Sequence, residues 1–195
     1  MISDDNKTTT RDDYKASSSA PLFAIFFYGT DNVDVTAVTI VPASSPAQIA
    51  QAHELFLEYA ASLGFSLCFQ NFDAELASLP GDYAPPNGRL LLAEYDGQLA
   101  GCGALHKLEA NLEADICEMK RLYLRPQFRG QRIGRTIAER LIADARAVGY
   151  KRMRLDTVGP VMKDAVAMYR KLGFKEIAAY RENPMPGTLY MELAL

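Results

Sequence analysis

The 195-residue chain is poor in cysteine and nearly devoid of histidine, with three cysteines and two histidines. Cys68, Cys102 and Cys117 are odd in number and lack the paired spacing of a zinc or redox motif. They read as reduced, mostly buried thiols in a reducing compartment. His53 and His106 stand far apart without a ligand pattern, which leaves them core or surface roles and gives the chain no metal site. No serine sits in a nucleophile elbow, and no internal repeat is visible. No apolar run approaches the ~18 residues of a membrane helix. The Walker lysine pattern is missing, and so is a full dinucleotide fingerprint with a well-placed acid. Metal-dependent, serine-nucleophile, P-loop and membrane-spanning classes are thereby set aside. A net charge of −3 excludes a nucleic-acid binder by composition.

What is present points elsewhere. A hydrophobic fraction of 49% suffices for a core, and the length fits one domain. Charge is unevenly spread. Between Lys120 and Arg154 lie 11 of the 21 basic residues but only two acidic ones, Glu139 and Asp144, a local +9 in an acidic chain. Arg140 and Arg146 read as a solvated helix face. Arg129, Arg132 and Arg135 gather around Gly130 and Gly134 in "QFRGQRIGRT" and read as an anion site.

Residues 1–34 form an N-terminal extension, with 1–19 polar and expected to be disordered. "APLFAIFFYG" follows, but its flank mixes Asp4, Asp5, Asp12 and Asp13 with Lys7, Arg11 and Lys15, and no small-residue cleavage site follows. It reads as an added strand or an overlong start rather than a secretory signal, so the expected location is cytoplasmic.

Residues 35–195 read as a single domain. "VDVTAVTIV" alternates like a strand. Ser45, Pro46 and Gln48 open a helix with a capping box, and Ile49, Ala52, Phe56, Tyr59 and Leu63 give it one buried face. "FDAELASL" is a shorter helix and "PGDYAPPNG" a loop. Two strands flank Asp96-Gly97, a strong hairpin signal. "ADICEMKRLYLR" is a long strand, "RGQRIGRTIAERLIADARAVG" a helix, "KRMRLDT" a strand and "VMKDAVAMYRKLG" a helix. "FKEIAAYRE" and "TLYMELAL" pair as a final hairpin. The order βααβββαβαββ, or βααββββαβαββ with the N-terminal strand counted, predicts an α/β fold of α+β mixed character: a central mixed sheet of about six to seven strands, flanked on both faces by about four helices.

A strand that feeds a glycine-bearing turn and then a helix aims unpaired N–H groups at one point, where the helix dipole favours negative charge. Hydrogen bonds to a charged group are worth about 1.5–3 kcal/mol each, against about 0.3–1 kcal/mol for the dipole. The amides therefore dominate and the arginine side chains assist.

"CEMKRLYLRPQFRGQRIGRTIAERLI" followed by "AVAMYRKLGF" resembles the GNAT superfamily of acyl-CoA-dependent N-acyltransferases. The family's R/Q-x-x-G-x-G/A motif falls on Arg129, Gly130, Gln131, Arg132, Ile133 and Gly134, departing at Arg132, where glycine is usual. Its A-x-x-L-Y-x-K-x-G-F signature falls on Ala165, Met168, Tyr169, Lys171, Gly173 and Phe174, and an asparagine often found earlier is Met162 here. The likeness spans roughly residues 38–195.

The resemblance implies a GNAT-like fold in which a bulged strand splays from its neighbour and the pantetheine arm lies in the gap. It implies acetyl-CoA as acyl donor. Leu122, Tyr123 and Leu124 would lie along pantetheine, with the Leu122 N–H polarising the thioester carbonyl. Residues Arg129, Gly130, Gln131, Arg132, Ile133, Gly134 and Arg135 would wrap the diphosphate. Glu118 stands where related enzymes often carry a glutamate base. Burial between Cys117 and Met119 would raise its pKa, Lys120 would lower it, and a structural Glu118–Lys120 pair is the competing reading. Tyr169 is the expected general acid, with a core tyrosine as the alternative. Cys117 reads as a packed strand residue.

The acceptor is expected to be a small amine, entering against the first two helices and the last hairpin. That wall would include Phe65, Phe69, Phe72, Tyr83, Tyr180 and Tyr190, with Asp73, Asp82 and Glu182 as possible cation partners. A protein lysine or N-terminus is the alternative acceptor. No nucleic-acid or membrane partner is implied, and a homodimer is compatible with the reading. Two other classes stay open: a non-catalytic acyl-CoA sensor and an unrelated phosphate-loop protein such as a nucleotide binder.

Overall fold

The computed structural model describes residues 38–108 and 115–195. The proposed N-terminal strand within residues 20–29 and the expected start of the first strand at residue 35 lie outside them.

Capping chemistry starts the first helix where the sequence signals it. Gln48 N–H donates to Ser45 Oγ, and Gln48 Oε1 accepts from Ser45 N–H at 3.0 Å, so α1 (Pro46–Ser62) opens with a closed capping box. Its buried face is Ala52, Leu55 and Phe56. Before it runs β1 (Val38–Pro42), and after it α2 (Phe72–Ser78). The segment read as a plain loop contains a 3₁₀ turn, Gly81–Tyr83, because Tyr83 is buried there and its hydroxyl donates to Glu75 at 2.7 Å.

The hairpin at Asp96-Gly97 forms as expected, both residues having positive φ, between β2 (Arg89–Tyr95) and β3 (Gln98–Lys107). Next come β4 (Ile116–Leu124), α3 (Ile133–Val148), β5 (Arg152–Val158), α4 (Lys163–Lys171), β6 (Lys175–Ile177) and β7 (Thr188–Ala194). One seven-stranded sheet results, in the order β1-β2-β3-β4-β5-β7-β6. All neighbours are antiparallel except β4 and β5.

Each face of the sheet carries its own core. Ile133, Ile137, Leu141 and Ala145 of α3 and Tyr169 of α4 pack with Leu91, Leu105, Met153 and Met191 on one face. Leu55 and Phe56 of α1 and Phe72 of α2 pack with Leu90, Leu92, Cys102 and Ala104 on the other. Fully burying one such side chain contributes about 1.5–3 kcal/mol, so α1 and α3 are pinned from opposite sides.

Two expectations need correction. The long helix begins at Ile133 rather than near Arg129, because Gly130 (φ +82°) and Arg132 (φ +63°) are left-handed and cannot continue helical geometry. The "FKEIAAYRE" strand keeps its ladder only over Lys175–Ile177. Beyond it Tyr180 and Arg181 turn their side chains to Glu118.

Candidate active site

The centre of the site is an irregularity in β4. Arg121 has φ +57°, and the β3–β4 register shifts between Cys102 and Ala104, so Arg121 and Leu122 together oppose Gly103. This is a β-bulge. Gly103 faces it, and Gly101 lies just beyond, opposite Leu124. A Cβ on Gly101 would come within 2.2 Å of the Tyr123 carbonyl oxygen, and one on Gly103 within 2.6 Å of Ile137.

The bulge coincides with a parting of strands. β4 pairs with β5 only through Ile116, Cys117 and Glu118, although both strands continue further. From Met119 onward the β5-facing backbone groups of β4 have no ladder partner there. A small cavity of about 70 Å³ occupies the fork, with Lys120, Leu122, Asp156 and Tyr169 in its walls.

Past the fork lies the basic turn. Leu122, Tyr123, Leu124, Arg129, Gly130, Arg132, Ile133, Gly134 and Arg135 line one cavity of about 680 Å³, whose other wall comes from α4. Gln131, expected with them, stands exposed outside that lining. The Arg129 amide is engaged by the Pro126 carbonyl, and its side-chain Nε donates to the Leu124 carbonyl at 3.2 Å. Amides of residues 130 to 135 have no hydrogen-bond partner among the described residues. Six consecutive donors thus stand at the start of α3, where the dipole is positive. Arg132 caps the helix in the left-handed region that normally favours glycine. That conformation costs a non-glycine residue about 1–2 kcal/mol.

Glu118 is completely buried and its carboxylate is fully engaged. Tyr180 OH donates to Oε1 at 2.5 Å, while His106 Nε2 and Arg181 Nη1 lie 3.1 and 2.9 Å from Oε2. Burial is the strongest single influence and acts upward. The His106 hydrogen bond, the Arg181 charge and the Lys120 charge together outweigh it and hold the pKa at about 2. Of the two opposing expectations the lowering prevails, with Lys120 contributing to it after His106 and Arg181. The expected structural pair is also absent among the described contacts, since the carboxylate bonds His106, Tyr180 and Arg181 instead of Lys120. Nothing local in the sequence marks these partners; only the β3–β4 register places His106 opposite Glu118.

Arg181 continues to Asp156, whose other oxygen accepts from Asn183 at 2.7 Å. Arg121 grips Glu75 of α2 with Nε and Nη2, at 2.8 and 2.5 Å, so α2 is tied to the bulge. Arg125 is spent on Glu54 and Glu58 of α1.

Tyr169 is buried with its ring edge-on to Phe174, yet it reaches the wall of the fork. Its hydroxyl has no hydrogen-bond partner among the described residues. Burial, chiefly, pushes its pKa well above the ordinary tyrosine value, so it is a neutral phenol with a proton to give. Cys117 packs in the core, and burial raises its thiol to about 12. Of the expected acceptor wall, Phe65 lines the fork, and Tyr83 and Asp82 line a neighbouring cavity of about 300 Å³. Tyr190 and Glu182 line a separate hollow. Phe72 lies beneath the Arg121 guanidinium at 5.1 Å, Asp73 is exposed, and the Phe69 side chain lies outside the described residues. Among the described residues no cluster of His, Cys, Asp or Glu could hold a metal, and no helix is long and apolar enough to cross a membrane.

Comparison with known proteins fits this geometry. Residues 51–174 match the family model described as "Acetyltransferase (GNAT) family". A relative from Schizosaccharomyces pombe, named an uncharacterised N-acetyltransferase, is 36% identical over 165 residues, covering 84% of this chain and 96% of its own. Among solved structures, a GNAT-family acetyltransferase of Staphylococcus aureus superposes with TM-score 0.65 at 16% identity, covering 81% of this chain and 99% of that one. A Salmonella typhimurium acetyltransferase structure, solved with acetyl-CoA as its cofactor, gives TM-score 0.58 at 18% identity, covering 81% and 94%.

Proposed function

Because this chain belongs to the acetyltransferase (GNAT) family, we propose that residues 35–195 move the acetyl group of acetyl-CoA onto a primary amine of a small molecule, by direct attack within a ternary complex. One observation carries the reading: the six partnerless amides of residues 130 to 135 stand beside a fork in the sheet. The donor set suits a diphosphate, and the unpaired edge of β4 suits an extended amide-bearing arm.

Acetyl-CoA supplies the acetyl group as an activated thioester, and the new N–C bond forms as the C–S bond breaks. Residues 130 to 135 hold the diphosphate through their amides, with Arg129, Arg132 and Arg135 adding charge. Leu122, Tyr123 and Leu124 align the arm, and the Leu122 N–H polarises the thioester carbonyl. Tyr169 gives a proton to the departing sulfur, which its raised pKa and unpartnered hydroxyl support. Glu118, at a pKa of about 2, is a weak base. It acts as the fixed charge that orients His106, Tyr180 and Arg181, and the amine's proton leaves by way of water. Gln131 remains assigned to the diphosphate through its amide alone. The free cysteines support a cytoplasmic setting.

Release of free thiol from acetyl-CoA across a panel of amines and peptides tests this. Release with small amines is expected. Binding of CoA without release on any amine would make the protein a sensor, and release on peptides only would make it a protein-modifying enzyme.

A further inference from the structure

Lys120 lies two residues before Leu122 on β4, in the walls of both the fork and the neighbouring cavity of about 300 Å³. It makes no hydrogen bond or ion pair among the described residues. Every acid nearby is already occupied. Glu118 Oε1 takes Tyr180, and its Oε2 takes His106 and Arg181. Both oxygens of Glu75 take Arg121, and Asp156 takes Arg181 and Asn183. When protonated, Lys120 has three donors and no contacting carboxylate, while burial, chiefly, lowers its pKa until an anion joins it.

Gln70 shares both cavities with it. Its Oε1 is buried without a hydrogen-bond partner among the described residues. Buried polar atoms are almost always satisfied, so an orphan in a cavity wall points to a ligand. The same two cavities are thus lined by one carboxylate-seeking donor group and one N–H-seeking acceptor.

We infer that the acceptor is an α-amino acid or a close analogue, its carboxylate held by Lys120 and an N–H of its amine received by Gln70 Oε1. This rests on the acetyl-transfer reading above and narrows its substrate class. The spacing suits the α position. Two residues span at most about 7 Å between Cα atoms, so Lys120 starts close to Leu122 on β4. A carboxylate on Lys120 and an amine beside Leu122 can therefore belong to one small molecule.

The test compares acetylation of α-amino acids with that of the matched decarboxylated amines and amino-acid amides, in wild type, K120M and K120R. Wild type is expected to favour the acids by about 10- to 100-fold in kcat/KM, the worth of one hydrogen-bonded charge. K120M is expected to bring that ratio near one through the acceptor's KM, and K120R to retain most of it. Equal wild-type rates on acids and decarboxylated amines would overturn the inference, as would a ratio that survives in K120M. A K120M defect confined to the KM for acetyl-CoA would place Lys120 in the donor site and overturn it too. Should K120M fail to fold, the wild-type ratio decides alone. Absence of thiol release with every amine would instead strike the acetyl-transfer reading itself.

Discussion

The Glu118 carboxylate keeps its charge inside the protein because His106, Tyr180 and Arg181 replace the water it has lost. Its folded pKa of about 2 lies below the ordinary 4.5. The resulting stabilisation is fully present above about pH 4.5 and disappears as pH falls towards 2, amounting to roughly 3 kcal/mol. Glu118→Gln is therefore expected to lower stability at neutral pH by about 2–4 kcal/mol, since Arg181 loses half of its compensation. Denaturant titrations should show that difference shrinking between pH 4.5 and 2. A constant difference would contradict the charge assignment. Tyr169→Phe is expected to cut kcat about 100-fold or more with little change in the KM for acetyl-CoA. Unchanged kcat would return Tyr169 to a purely structural role. Neither environment could be read in full from the sequence. The signature pointed to Tyr169, but Tyr180 and Arg181 reach Glu118 from more than sixty positions away, and no local pattern encodes that contact.

Elements carried a clearer signal. The capping box of α1, the Asp96-Gly97 hairpin and the amphipathic faces of α1 and α3 follow from residue types a few positions apart, and they stand where the pattern put them. The start of α3 was misplaced because two left-handed residues precede it, and only one of them is a glycine. Arg132 gives the turn a charge in exchange for backbone strain. Arg132→Gly relieves about 1–2 kcal/mol of that strain, against about 0.5–1 kcal/mol of extra chain entropy. Stability is thus expected to stay level or rise by up to about 1.5 kcal/mol, and the KM for acetyl-CoA to rise only a few-fold if the amides dominate. Gly134 sharpens the point. A Cβ there meets only Leu124, at 3.4 Å, so a larger side chain enters the cavity of about 680 Å³ without disturbing the core. Gly134→Val is expected to leave thermal stability equal or higher, since glycine is the poorer helix former, while acetyl-CoA affinity falls more than about tenfold. Loss of stability with intact affinity would contradict the placement of the diphosphate.

Across the whole molecule, strand order sets the site. The alternation of hairpins and helix-linked strands implied a mixed sheet with helices on both faces, and seven strands with four α-helices are found among the described residues. The short reach of the β4–β5 pairing was legible only through the family resemblance, because a fork depends on two strands diverging rather than on either strand's residues. A ligand that bridges β4, α3 and α4 should stabilise the fold as a unit. At one hundred times its dissociation constant, acetyl-CoA contributes about 2.7 kcal/mol, or a rise in Tm of roughly 5–10 °C for a chain of this size. ATP and NAD should give little. Most direct is a crystal structure of the protein with acetyl-CoA. The diphosphate oxygens are expected within hydrogen-bonding distance of the amides of residues 130 to 135, with the thioester in the fork beside Leu122. A ligand bound elsewhere, leaving those amides untouched, would contradict the assignment of the site.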